Sequence, residues 1–256
     1  MQQIFVDQSV KIDDTFMVEG EDARHLLQVL RMRQGEQLRV STHEGDNYLC
    51  QIESADKGQV TLRVLEEVAS TELEKRIYLF QAVPKGDRME TVIEKAVELG
   101  VYEIIPVEMK YCVVKLDAKK KAARLKRYQA IAESAAKQSK RMQIPTVHTP
   151  VTFQQALAMM AESDIRLMPY ENAEGMEGTR RILESIEPGE SIAVLIGPEG
   201  GIDEAEVEMA MKAKVEPITL GKRILRTETA GMTVLSILVY LLEGRERTLS
   251  LIHISE

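Results

Sequence analysis

A chain of 256 residues that is 44% hydrophobic has ample material for a packed core, arranged as one large domain or two ordinary ones. With no tryptophan and only 4% aromatic residues, it cannot lay out a broad stacking platform for single-stranded nucleic acid. The formal charge of −8 argues against a polyanionic partner at first sight. Between Lys115 and Arg141, however, ten lysines and arginines face only Asp117 and Glu133, a local charge of +8 that leaves −16 for the rest, so a nucleic-acid contact stays open.

Cys50 and Cys112 lie far apart with no CxxC pairing and read as reduced, buried hydrophobes. The four histidines form neither an HExxH motif nor a Cys/His cluster, so no metal is expected. The N-terminus lacks a basic and apolar leader, and the uncharged, strongly apolar run Thr229 to Leu242 falls short of the ~20 apolar residues that span a bilayer. The expected location is the cytoplasm, with no membrane partner.

In chain order, residues 1–70 read as short strands around one helix. Gln37 to Thr42 and Tyr48 to Ile52 alternate, joined by the turn-like His43-Glu44-Gly45-Asp46-Asn47. After the turn Asp56-Lys57-Gly58, Val60, Leu62 and Val64 share a face. Short strands at this spacing predict a small barrel. Ala23, Leu26, Leu27 and Leu30 recur at helical spacing before Gly35; Arg24, His25, Arg31 and Arg33 around them are either a solvated face or phosphate contacts.

The polar stretch Glu66 to Lys75 separates this region from a second domain, expected over residues 74–245. There the pattern becomes strand then helix, repeatedly, which predicts an α/β fold with a mostly parallel sheet. Ile77 to Val83 is an apolar run broken only by Gln81, as in a strand covered on both faces. Asp87, with Glu90 three residues on, predicts a capping box for a helix whose apolar face is Met89, Val92, Ile93, Ala96 and Val97. A strand over 103–109 and a long basic helix over 117–141 follow, the helix carrying Leu125, Tyr128, Ala132, Ala135 and Ser139 along one side. Later strands are expected over 165–170, 191–196 and 217–220. A helix stop is expected at Gly244, and residues 246–256 read as a tail of uncertain origin.

Ligands of parallel α/β sheets bind beyond the carboxyl ends of the strands, which directs attention to the loops 169–172, 197–202 and 221–230. Gly197, Gly200 and Gly201 let backbone approach a ligand closely, and Asp203 with Glu206 predicts a second capping box. Glu199 inside this turn is a poor neighbour for phosphate, and neither GxGxxG nor GxxxxGK[ST] occurs, so a neutral or cationic small molecule competes only with a purely structural turn. Lys222, Arg223 and Arg226 around Ile224 and Leu225 suggest an anion or nucleic-acid contact.

IGPEGG followed by LGKRILRTETA resembles the RsmE-type 16S rRNA (uracil-N3) methyltransferases of the SPOUT superfamily. HLLQVLRMRQGEQL, PKGDRMETVIEKAVELGV and VVKLD extend the likeness over nearly the whole chain. The resemblance implies a PUA-like, RNA-gripping barrel before a SPOUT domain with a deep trefoil knot, acting as a homodimer on 16S rRNA or the small ribosomal subunit. It implies S-adenosylmethionine as methyl donor, with N3 of a uridine at position 1498 in the usual rRNA numbering as target. The donor would lie against Leu195, Ile196, Gly197, Glu199, Gly200 and Gly201, and against Leu220, Gly221, Ile224, Leu225 and Thr227. Arg226 is expected to stabilise the uracil anion, with Glu228 and Thr229 as supporting polar groups. A related enzyme acting on another RNA, or a non-catalytic ribosome-assembly factor, is the competing reading. The basic part of the helix, Lys119 to Arg127, with Lys137, Lys140 and Arg141, is the expected footprint for rRNA, with a solvated helix face as the alternative.

Overall fold

The computed structural model of the chain describes residues 1–42, 45–56, 58–114, 117–173, 175–187 and 190–252. His43, Glu44, Lys57, Lys115 and the last four residues, named in the expectations above, lie outside the described residues. The chain divides into two compact units, Met1–Glu72 with Ala136–Ile144, and Leu73–Ala135 with Pro145–Glu256.

In the first unit, β1 (Gln3–Val6), β2 (Thr15–Glu19), β3 (Gln37–Thr42), β4 (Asn47–Asp56) and β5 (Gln59–Glu67) form one sheet in the order β1-β3-β4-β5-β2. Only the β1–β3 pair is parallel. Two register shifts between β4 and β5 add local twist, which curls the sheet over its own side chains. Alternation then puts Phe16, Val18, Leu38, Val40, Cys50, Ile52, Val60, Leu62 and Val64 into a single core. The short α1 (Gly20–Arg24) continues as a π-helical turn over His25–Val29, with Ala23 and Leu26 fully buried beneath it.

This unit also holds a buried polar chain. Gln3 Nε2 donates to Ser41 Oγ (3.0 Å) and to the carbonyl of Arg141 (2.5 Å), and Ser41 Oγ donates to Asn47 Oδ1 (2.9 Å). Arg141 corrects an expectation. Its side chain is 5% exposed and fully engaged by the Glu72 carboxylate, with Nε at 2.8–2.9 Å, so it is no part of an RNA-facing surface.

The second unit is built on a sheet of seven parallel strands. Its order is β12 (Glu216–Ile218), β10 (Ile165–Pro169), β11 (Ile192–Ile196), β6 (Ile77–Ala82), β7 (Glu103–Glu108) and β8 (Thr146–Val147), with β9 (Val151–Thr152) also pairing with β7. Every residue of the central β11 is buried, as its uninterrupted apolar run requires. The helices are α2 (Arg88–Glu98), α3 (Ala118–Ser139), α4 (Phe153–Met160), α5 (Met176–Glu184), α6 (Glu204–Lys212) and α7 (Thr227–Ile252).

Helix α2 buries the apolar face expected of it, but its capping box does not form. The Asp87 side chain makes no cap hydrogen bond, and Glu90 instead pairs with Arg127 of α3 at 2.7 Å. Helix α7 passes Gly244 without stopping, because one glycine costs a long helix only about 1 kcal/mol. Along α3, Tyr128, Ala132 and Ala135 are buried as expected, whereas Leu125 and Ser139 are only partly covered.

Candidate active site

At the carboxyl end of the parallel sheet, the loops after β10, β11 and β12 converge on one cavity of about 710 Å³. Its walls are Pro169–Asn172, Ile196–Ile202 and Thr219–Thr227, with Ala230 at the back. A space of this size suits a ligand of a few tens of atoms.

The loop after β11 is shaped by its glycines. A Cβ on Gly197 would stand 2.5 Å from Ile202 Cγ1, so only glycine lets Ile202 fold back under the loop. Gly201, at φ +79°, closes a turn by donating its amide to the Pro198 carbonyl at 3.0 Å. Asp203 then caps α6, accepting from the Ala205 amide at 3.2 Å. The expected box partner Glu206 is drawn elsewhere: it is buried and accepts from the Lys110 amide at 2.9 Å.

Asp203 is pinned from the loop after β7, by Lys110 Nζ at 2.6 Å and the Tyr111 hydroxyl at 3.0 Å. The hydrogen bond from Lys110, with help from Tyr111 and the Ala205 amide, outweighs desolvation and holds the Asp203 carboxyl below the usual carboxylate range.

Two braces tie this loop to its neighbours. The inner one is neutral and buried: the Thr227 hydroxyl donates to the Gly197 carbonyl at 2.6 Å and accepts from Gln81 Nε2 at 2.8 Å. It joins the ends of β6 and β11 to the first residue of α7. The outer one is charged and half-exposed: Glu199 Oε1 accepts from Arg88 Nη1 at 2.7 Å and from the Lys85 amide at 3.1 Å. Burial on its own would raise the Glu199 pKa. It is lowered nonetheless, because its own amide, the Lys85 amide and the Arg88 guanidinium all favour the anion. The carboxylate is therefore already matched by a protein cation, which removes the reason for expecting it to select a cationic ligand.

Of the expected donor-site residues, Ile196, Gly197, Glu199, Gly200, Gly201, Leu220, Gly221, Ile224, Leu225 and Thr227 line the cavity. Leu195 does not; it is fully buried in the core beneath. Arg226 also lines the cavity, exposed and immediately before α7, with its carbonyl accepting from the Ala230 amide at 2.8 Å. Glu228 and Thr229 sit in the first turn of α7 outside the lining: Glu228 faces Arg88, Nε to Oε1 3.9 Å, while the Thr229 carbonyl accepts from Thr233. Gln81 and Arg88 were not anticipated. The signal for Gln81 was present, since a lone amide inside an apolar strand must find a buried partner. Arg88 had none, because an arginine in a first helical turn reads as solvated surface. Among the described residues, no group of three or more His, Cys, Asp and Glu could hold a metal ion.

A parallel α/β unit whose carboxyl-end loops enclose a cavity, with an arginine at its lip, has the architecture of a small-molecule binding site. Residues 71–239 match the family model of an RNA methyltransferase domain, and residues 18–65 that of an RNA methyltransferase PUA domain. Ribosomal RNA small subunit methyltransferase E of Bacillus subtilis is 36% identical over 247 residues, 94% of this chain and 96% of the relative. The crystal structure of ribosomal RNA small subunit methyltransferase E from Neisseria gonorrhoeae bound to S-adenosyl methionine superposes with a TM-score of 0.82 at 32% identity, covering 94% of this chain and 98% of that one. A Legionella pneumophila protein solved with the cofactor SAM superposes at 0.79, also 32% identical, over 92% and 96%. The chain belongs to the RNA methyltransferase family of ribosomal RNA small subunit methyltransferase E.

Proposed function

We propose that the protein transfers a methyl group from S-adenosylmethionine to N3 of one uridine in 16S rRNA of the small ribosomal subunit. The observation that carries this reading is the convergence of the loops after β10, β11 and β12 on a single cavity with Arg226 at its lip. The cavity fits the donor chemically as well as by size. Its walls include glycine backbone and the side chains of Ile196, Leu220, Ile224 and Leu225, and Glu199 is already paired with Arg88, so an uncharged adenosine can lie against backbone and apolar surface.

When bound, S-adenosylmethionine supplies an electrophilic methyl on a sulfonium. The remaining work falls to the chain. Uracil N3 lies on the Watson–Crick edge and carries a proton at neutral pH, so the base must be extruded and the proton lost. Arg226 makes no side-chain hydrogen bond or ion pair among the described residues, which leaves its guanidinium free to donate to a uracil carbonyl as negative charge develops there. The positive end of the long α7 begins at the next residue and supports the same anion. Thr227 fixes that helix end through Gly197.

A deep knot and a homodimer belong to this reading. Supporting the first, the chain leaves β11, builds α6 and edge strand β12, and returns so that Thr227 bonds back to Gly197. Supporting the second, Tyr240 on α7 is 80% exposed beside the apolar Ile237 and Leu241. No described helix is long and apolar enough to cross a membrane; a cytoplasmic site fits the substrate.

Mass mapping of rRNA after incubating small ribosomal subunits with the protein and S-adenosylmethionine tests the proposal. One N3-methylated uridine is expected; methylation of a ribose or another base, or none, would reject it.

A further inference from the structure

Arg88 stands outside the cavity lining yet lies between a lining residue, Glu199, and the first turn of α7. Its Nη1 is 2.7 Å from Glu199 Oε1, on the loop after β11, and its Nε is 3.9 Å from Glu228 Oε1, in the first turn of α7. The same Glu199 oxygen takes the Lys85 amide at 3.1 Å, so the loop after β6 holds the carboxylate by backbone while the first residue of α2 holds it by side chain. Glu228 is 18% exposed, and its Oε2 is buried with no hydrogen-bond partner among the described residues. One guanidinium thus separates two carboxylates that would otherwise repel across the cavity's edge.

We propose that Arg88 is a positioning residue for methyl transfer, and that Glu199 serves as its strut rather than as a counter-charge for the donor's sulfonium. The proposal rests on the donor assignment made above. The two roles of Glu199 predict different ligand selectivity. A counter-charge would favour the cationic S-adenosylmethionine over the neutral thioether S-adenosylhomocysteine, whereas a strut would serve both equally, because it acts by holding the loop 197–202 in place. With its side chain 41% exposed, the Arg88 pair contributes little to global stability, so its loss should act on the site and not on the fold.

Calorimetric titration of both ligands into the full chain separates these possibilities. Arg88→Ala should weaken each by the same factor, about tenfold, with the thermal unfolding midpoint unchanged. Arg88→Lys should recover part of the loss, since an ammonium can reach one carboxylate but not bridge both. Glu199→Gln, which keeps the acceptor oxygen and removes the charge, should leave the ratio of the two affinities within about twofold of the unsubstituted protein. Glu199→Ala, a second route to the same break, should copy Arg88→Ala.

Arg88→Ala binding both ligands normally would overturn the proposal, as would a Glu199→Gln protein that loses S-adenosylmethionine alone. If the unsubstituted protein bound neither ligand, the donor assignment itself would fall, a result distinct from both.

Discussion

Arg226 owes its chemistry to what surrounds it as much as to its charge. Exposed at the cavity's lip, it immediately precedes the N-terminus of α7, whose positive end favours an anion, so in the proposed mechanism both act on the negative charge that develops on the uracil. Arg226→Ala should lower kcat by about 10²–10³ while leaving donor affinity nearly intact, the usual cost of removing a donor that acts in the transition state. Single-turnover methylation of small subunits measures this, and a drop confined to about twofold would refute the role. Within the site, Asp203 and Glu199 contribute to the pH dependence, as Asp117, Asp164 and Glu208 do elsewhere. Both are held below their ordinary carboxyl values in the folded protein, Asp203 chiefly by Lys110 and Glu199 by amides and Arg88 against the opposing effect of burial. A carboxyl so depressed adds stability above its unfolded value and surrenders it as pH falls through the folded one. Thermal unfolding should therefore worsen on acidification below the ordinary carboxylate range, and the decline should be shallower in Asp203→Asn. Burial pushes the Cys50 thiol up to about 12, so it is neutral and inert at physiological pH, in keeping with its place in the core.

At the scale of elements, the loop after β11 is the most constrained segment of the site. It is tied inward by Thr227, outward by Arg88 and Lys85, and at its end by Lys110 and Tyr111 on Asp203. Gly197→Ala would force a Cβ to 2.5 Å from Ile202 Cγ1, on a β-branched side chain with little rotamer freedom. A cost of about 1–3 kcal/mol is expected, seen as a lower urea midpoint together with weakened donor binding; unchanged donor affinity would show that the loop can yield without consequence. The apolar runs that became β6 and β11, and the amphipathic face of α2, were legible in advance because burial on two faces and burial on one leave different periodicities. The capping boxes at Asp87 and Asp203 were not. Motif spacing places Glu90 and Glu206 within reach of their caps, but Arg127 and the Lys110 amide, distant in sequence, bid for the same carboxylates and win.

For the whole molecule, the basic stretch matters less than its composition suggests. Lys121 pairs with Glu108, Arg127 with Glu90, Lys137 with Asp22 and Arg141 with Glu72, so much of the local positive charge is neutralised at short range. Lys119 and Lys126 stay exposed with no ion pair among the described residues, and we propose them as contacts for RNA phosphates. Reversing both to glutamate should weaken rRNA affinity and reduce the dependence of log K on log salt by about 0.7 for each phosphate no longer neutralised. Filter binding at several salt concentrations measures that slope, and an unaltered slope would exclude the pair from the interface.

Local patterning was enough to establish that the chain alternates strand and helix after a β-rich start, and that its glycine-rich and arginine-bearing loops lie at the carboxyl ends of strands. Those features depend on residues close in sequence, whose periodicity and backbone freedom are written locally. The pairing of Arg88 with Glu199, the Gln81–Thr227–Gly197 brace and the burial of Arg141 against Glu72 join residues 30 to 146 positions apart. Which carboxylate an arginine meets depends on the path of the backbone between them, and only the folded sheet decides it.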